Sequence, residues 1–281
     1  MGIRGEAAGK ETHMLRDITI GQYYPAESCI HRLDPRTKIV GTMLYIISLF
    51  LFKSFPGFIV VVTAYTGILI LSHVPFSYVI RGLKPILLIL FITVFFNILA
   101  TKGTVLWQWK AITITKEGLQ RGAFMGFRLI LLILGTSMMT YTTTPNQLTD
   151  GLERLMAPLK VLHFPVHEMA MMMSIALRFI PILTEEATRI RKAQTARGAD
   201  MESGGLIKRA KSMVPLFIPL LVSAFHRAFD LAMAMEARCY HGGKGRTKMK
   251  PLRYRLRDAF AYLYLGCYLG TIILLRVWLK I

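Results

Sequence analysis

The sequence predicts an all-α membrane protein: about five transmembrane helices joined to a cytoplasmic module of long amphipathic helices. Three observations carry that class. Hydrophobic residues fill 53% of the 281 positions and the mean hydropathy is +0.45, more apolar than a soluble chain of this length. The formal net charge is +19. The basic residues gather between apolar runs of near-bilayer length, which marks a topology signal rather than a nucleic-acid surface. One long stretch in the second half keeps an apolar helical period yet is crowded with lysine and arginine.

A spanning helix needs on the order of 20 largely apolar residues. Runs of that kind lie at Ile39–Phe52, Phe55–Ser72, Pro85–Thr101, Gly122–Tyr141 and Ala259–Leu279. The first is short, and Lys38 and Lys53 are placed to snorkel from its ends. Lys53-Ser54-Phe55-Pro56-Gly57 predicts a tight turn before the second. The fourth carries Arg128, which must face the protein interior or reach an interface. Residues 1–20 are polar and lack the order of a cleaved signal peptide, so the first span is expected to act as the insertion signal. The organisation that follows is an N-terminal cytoplasmic segment 1–38, four spans in 39–141, a cytoplasmic stretch 142–258 and a last span in 259–281.

The stretch 142–258 needs its own argument, because Met169–Leu183 and Met213–Phe225 are apolar enough to suggest two more spans. Between them lie Arg189, Arg191, Lys192, Arg197, Lys208, Arg209 and Lys211; after the second come Lys244, Arg246, Lys248, Lys250, Arg253, Arg255 and Arg257. An intervening crossing would put one cluster outside, against the positive-inside tendency. Keeping both inside, with neither stretch crossing, leaves five spans and puts Arg81 and Lys84 inside as well. The 102–121 loop, with Lys102, Lys110, Lys116 and Arg121, then falls outside, where Trp107 and Trp109 suit a membrane interface.

Within that stretch, Thr144-Pro145-Asn146 opens a helix through about Leu159, since proline favours the first turn. His163-Phe164-Pro165 breaks it. From Val166 to Arg197 the residues Met169, Met172, Ala176, Phe179, Leu183, Ala187 and Ile190 recur at helical spacing on one face. Arg178, Glu185 and Lys192 lie opposite, and Glu185 with Arg189 makes a favourable pair four residues apart. Gly198 is the stop, and Ser203-Gly204-Gly205 the break before the next helix. That helix is expected from about Leu206 to Tyr240, bent by Pro215 and Pro219 and ended by Gly242-Gly243. Its face holds Met213, Phe217, Leu220, Ala224, Ala228, Leu231 and Met235.

The two helices repeat each other. Phe179-Ile180-Pro181-Ile182-Leu183 is echoed 38 residues on by Phe217-Ile218-Pro219-Leu220-Leu221, and Ala196-Arg197-Gly198 is echoed 41 residues on by Ala237-Arg238-Cys239. One arginine at a helix end is commonly a charge that suits the dipole, worth about 0.3–1 kcal/mol. Two equivalent arginines at the ends of twin helices point instead to a pair of equivalent partners.

Other chemistries find little support. Cys29, Cys239 and Cys267 have neither disulfide-framework nor zinc spacing. His163 and His167 are four apart but straddle Pro165 and lack a third ligand. Glu185-Glu186-Ala187-Thr188-Arg189 is similar to the paired glutamates of intramembrane CAAX-type proteases, one residue short, in a segment assigned outside the bilayer. Gly242-Gly243-Lys244-Gly245-Arg246-Thr247 is not a phosphate-binding loop and follows a helix rather than opening one. A stand-alone secondary transporter wants ionisable groups deep in several spans, and Arg128 is the clear case.

The run Gln22-Tyr23-Tyr24-Pro25-Ala26-Glu27-Ser28-Cys29-Ile30-His31-Arg32-Leu33-Asp34-Pro35-Arg36-Thr37-Lys38 resembles the segment before the first span of energy-coupling-factor transporter T subunits. The two Ala-Arg-x tips resemble that family's paired coupling motifs, with Met235-Glu236-Ala237-Arg238, Tyr240 and Gly242 especially close. Cys239 stands where glycine is more usual, and Ala26 where glycine is common. The resemblance spans nearly the whole chain. It implies a non-catalytic, multi-pass subunit in the cell membrane of a prokaryote, with two ABC ATPase subunits on the cytoplasmic side and a small membrane substrate-binding S subunit beside it. Ala196, Arg197, Gly198, Ala237, Arg238 and Cys239 would meet the ATPases. ATP and Mg would sit on those partners, with no cofactor and no metal on this chain. Met169, Met172, Met173, Met213, Phe217, Leu220 and Ala224 are assigned to the S subunit, since methionine suits surfaces that repack; ordinary packing is the alternative. The cargo, a vitamin or other micronutrient by resemblance, is left to the S subunit to choose.

Overall fold

A computed structural model of the chain describes residues 23–52, 54–101, 103–109, 112–199, 205–243, 249 and 251–278. Residues 1–22, Lys53, Lys102, Lys110, Ser203, Gly204, Lys244–Lys248, Lys250 and Leu279 lie outside the described residues, as do the side chains of Arg81, Trp107, Trp109 and Arg209. The chain divides into two compact units, Met1–Arg154 with Leu252–Ile281, and Leu155–Pro251.

In the first unit the predicted apolar runs all form helices: α1 (Pro35–Leu51), α2 (Phe55–Ser72), α4 (Leu87–Ala100), α5 (Lys116–Thr142) and α10 (Leu256–Trp278). A short α3 (Phe76–Leu83) precedes α4, and α6 (Pro145–Leu155) follows α5. Asp34 caps α1 by accepting from the Arg36 N–H, with Pro35 as the first helical residue. Thr144 and Gln147 cap α6 reciprocally, each side chain accepting from the other's backbone N–H. The class is all-α, with one two-stranded antiparallel hairpin that the sequence reading missed: β1 (Val105–Trp109) pairs with β2 (Ile112–Thr115) between α4 and α5.

Among the described residues, five helices are long and apolar enough to cross a bilayer: α2, α5 and α10 here, and Val166–Ala196 and Val214–Ala237 in the second unit. Helices α1 and α4 are shorter, at 17 and 14 residues. The number matches the expected five, but the membership differs from the charge-based reading, which counts α1 and α4 and withholds the two in the second unit. Length alone does not choose between the sets.

Helix α5 is the hub, packing against α1, α2, α3 and α4. Its Gly118, Gly122 and Gly126 recur every four residues and let α4 approach closely; a Cβ at Gly118 would sit 2.8 Å from the Ile98 carbonyl oxygen, and one at Gly122 3.0 Å from the Ile98 side chain. A backbone atom cannot step aside, so Gly118→Val is expected to cost about 1–3 kcal/mol, read as a lower unfolding temperature of the purified protein in detergent. One core joins Tyr45, Leu49, Phe52, Phe58, Val61, Leu131, Tyr268 and Ile272. The Tyr45 hydroxyl donates to the Leu131 carbonyl, and Ser48 Oγ lies 2.7 Å from the Tyr268 hydroxyl. Arg128 faces inward as expected, donating to the Phe52 carbonyl at the end of α1 and stacking over Phe124.

The second unit holds α7 (Val166–Ala196), α8 (Leu206–Ser212) and α9 (Val214–Ala237), after a 3-10 turn at Ala157–Leu162. The helix expected to run through Leu159 thus stops at Leu155. The single bent helix expected from Leu206 to Tyr240 is two helices, parted at Met213 just before Pro215, and it ends at Ala237 rather than at the Gly242-Gly243 pair. Proline without an N–H cannot close the preceding turn.

Candidate partner-docking site

The two arginine tips have the same local geometry. At the end of α7, Arg197 is the cap residue, Gly198 is left-handed at φ +88°, the Gly198 N–H donates to the Thr195 carbonyl and the Ala199 N–H reaches back to the Gln194 carbonyl. At the end of α9, Arg238 is the cap residue, Cys239 is left-handed at φ +54°, the Cys239 N–H donates to the Glu236 carbonyl and the Tyr240 N–H to the Met235 carbonyl. Each pair of bonds satisfies carbonyls that the helix end leaves open. The sequence echo is therefore a structural one. Arg197 and Arg238 are both exposed, and among the described residues neither guanidinium has an ion pair or hydrogen bond.

The left-handed position makes opposite demands at the two tips. Gly198 has open space around the site of a Cβ, so Gly198→Ala costs only backbone strain, about 1 kcal/mol. Cys239→Gly relieves that strain and is expected to stabilise by up to about 1 kcal/mol. Thermal unfolding of the two variants should shift in opposite directions.

Helices α7 and α9 pack through Ile175, Phe179 and Leu183 on one and Ala224, Ala228, Leu231 and Met235 on the other, lining a cavity of about 320 Å³. The second half of the predicted α9 face is thus turned to α7. On α7 the predicted face is right at Phe179 and Leu183 but missed Ile175. Of the residues assigned to an S subunit, Leu220 is half-buried and Ala224 belongs to the packed seam. Met169, Met172, Met173, Met213 and Phe217 are exposed. Met213 and Phe217 are joined on α9 by the exposed Val214, Ile218, Leu221, Val222, Phe225 and Phe229, so α9 presents a broad apolar surface.

Glu186 accepts from the Ser223 hydroxyl at 2.7 Å and pairs with Arg227 at 2.6 Å. Hydrogen bonds from Ser223 and Arg227 hold its carboxyl below the ordinary carboxylate range, against the effect of burial. The expected Glu185–Arg189 pair does not form among the described residues; it is the neighbouring glutamate that binds, and to the other helix.

Residues 26–249 match the family model described as CbiQ, cobalt transport protein. The chain belongs to the CbiQ/EcfT family. Among its curated relatives, the energy-coupling factor transporter transmembrane protein EcfT of Clostridium kluyveri is 51% identical over 267 residues, which is 94% of this chain and 99% of the relative. The protein of the same name from Ruminiclostridium cellulolyticum is 52% identical over 87% of this chain and 92% of its own length. That of Acidaminococcus fermentans is 51% identical over 88% and 92%.

The family match takes in most of the N-terminal run, and the structure explains those residues as an anchor. Lys38 Nζ is buried and donates to the His31 and Thr142 carbonyls. It does not snorkel as the sequence reading expected, because it lies inside the first turn of α1 facing the end of α5. The Asp34 N–H and Thr37 hydroxyl donate to Asp258 at the start of α10. Asp34 holds Arg36 through two side-chain bonds, and Arg36 stacks over Tyr254. His31 Nε2 donates to the Tyr24 carbonyl, and Ser28 Oγ lies 2.7 Å from Nδ1. Ala26 has no positive φ, so the family's common glycine is not needed there.

The anchor is expected to weaken in acid. Burial pushes the His31 imidazole below its ordinary 6.5, against the Tyr24 carbonyl, which favours the charged form. For Asp34 burial raises the carboxyl, but the Arg36 hydrogen bonds and charge more than reverse it and leave it below 3.8. In both cases the unfolded chain takes up protons more readily, so stability is full above the ordinary value and falls as the pH drops through the folded one. Thermal unfolding scanned downward from pH 7.5 (~7.5, above the His31 window) should weaken first below 6.5 and again below 3.8; in His31→Gln the first decline should shrink.

Proposed function

We propose that this chain is the transmembrane energy-coupling subunit of an ECF-type ABC importer. Arg197 and Arg238 dock two ABC ATPase subunits, and exposed apolar residues of α7 and α9 carry a small membrane S subunit for a vitamin or other micronutrient. ATP and Mg belong to the ATPases, and this chain is not catalytic. The observation that carries the reading is the pair of identically capped helix ends, each presenting an exposed guanidinium without a partner among the described residues. Arginine's rigid fork suits a carboxylate-lined groove. The family's description, cobalt transport protein, and its relatives' name, energy-coupling factor transporter transmembrane protein, support it.

The positive-inside tendency favours a cytoplasmic place for α7 and α9 in the cell membrane of a prokaryote, with α1, α2, α4, α5 and α10 as the spans. The native Cys239 tests both placement and docking, since it is exposed beside Arg238. With Cys29 and Cys267 changed to serine, a membrane-impermeant maleimide should label Cys239 in inverted vesicles but not in intact cells, and bound ATPase subunits should protect it. Labelling from outside, or full labelling with the ATPases bound, would overturn the reading.

A further inference from the structure

Glu186 and Arg227 occupy matching places in the two helices. Arg197 lies eleven residues beyond Glu186 in α7, and Arg238 lies eleven residues beyond Arg227 in α9. Each stretch is unbroken helix ending in the same cap. The repeat offset of 41 residues that pairs the tips also pairs Glu186 with Arg227, Ala187 with Ala228 and Ala193 with Ala234. Two equivalent positions that touch each other lie on the local symmetry axis of the pair. The remaining contacts agree: earlier α7 residues (Ile175, Phe179) share a cavity with later α9 residues (Leu231, Met235). The helices therefore cross in opposite senses, and the arginine tips point away from the crossing in opposite directions.

We infer that Glu186 and Arg227 form the fulcrum of a two-armed lever, holding the crossing point while the tips move. This rests on the coupling reading above. Eleven residues make about 16 Å of helix and close to three whole turns, so each tip arginine returns nearly to the helix face that carries its fulcrum residue. The arms are equal, so the two ATPases would drive them symmetrically. A rotation of roughly 10° about the pair would shift each tip by about 3 Å, from the arm length. The bond suits a fulcrum better than the apolar seam does: hydrogen bonds fix a register, whereas the alanines around it (Ala187, Ala224, Ala228) are small and let the helices slide. Ser223, with a second bond to Glu186, narrows the allowed angle further. Glu186 and Arg227 are positioning residues, acting through Arg197 and Arg238.

The test uses the complete transporter in proteoliposomes. Glu186→Arg alone and Arg227→Glu alone should still recover the ATPases, because the tips are intact, but lose uptake on the order of tenfold. The reversed pair, E186R with R227E, should regain most of it, short of the Ser223 bond. Single variants that transport like the parent would overturn the inference, and so would a reversed pair that folds yet stays as slow as the singles. A second measurement leaves the pair unaltered. Spin labels at Thr195 and Glu236, near the tips, should change separation on ATP binding, while labels at Glu185 and His226, flanking the fulcrum, should hold theirs. Equal changes at both places would contradict a fulcrum, whatever the variants do. If the parent chain itself recovers no ATPase, it is the coupling reading that fails rather than this one.

Discussion

Changing Arg197 and Arg238 together to glutamate is expected to abolish ATPase association and uptake while leaving the chain folded. Both side chains are exposed and neither has an ion pair among the described residues, so their loss costs the fold little. Their value lies in the contact they make with a partner. Removing one side of a hydrogen-bonded charge pair at an interface costs about 2–5 kcal/mol, and reversal adds repulsion. Each single variant should weaken association and uptake strongly but incompletely, because the opposite tip still docks. Lysine at either position keeps the charge without the planar fork, and should fall between arginine and glutamate. Co-recovery of the ATPases from detergent extracts and uptake in vesicles read both effects. An unchanged double variant would show that the arginines are only helix ends.

The second large effect is on stability. Lys38→Met is expected to destabilise the chain by about 2–6 kcal/mol, because it strips the donor from two carbonyls, at about 1–3 kcal/mol for each buried group left unsatisfied. Those carbonyls, His31 and Thr142, belong to the N-terminal run and to the end of α5, 3.1 and 2.7 Å from Nζ. Against a typical stability of about 5–15 kcal/mol, that is enough to lower the yield of monodisperse protein as well as its unfolding temperature. The exposed Lys84, changed to methionine, is the control and should leave both as they are. A Lys38 variant as stable as the parent would mean that water takes over both carbonyls.

The helices of the first unit were legible because each is a near-continuous apolar run, and the ends of α7 because Pro165 and Gly198 carry their own backbone preferences. The paired tips were legible as an echo, and the structure adds that the echo extends to the bonds of the caps. What was not legible depends on distance along the chain. Nothing near Lys38 says that it will meet Thr142, 104 residues on, or that Asp34 will meet Asp258, 224 residues on. Local pairing rules favoured Glu185 with Arg189, and only the crossing of α7 with α9 selects Glu186. The hairpin was missed for a different reason. The alternation in Val105-Leu106-Trp107-Gln108-Trp109 and Ile112-Thr113-Ile114-Thr115 is a strand pattern, but the loop's charges and tryptophans were read for topology instead. The methionines divide: Met235 fills the seam between α7 and α9, as gap-filling predicts, while Met169, Met172, Met173 and Met213 stay uncovered.

The most direct test of the central claim is purification of the tagged, unaltered chain from its own membranes, with identification of what comes with it. The coupling reading predicts that two ATP-hydrolysing subunits and a small, strongly apolar membrane protein accompany it, and that the ATPases are lost from the Arg197→Glu, Arg238→Glu double variant. Recovery of the parent chain without any ATP-hydrolysing subunit would contradict it.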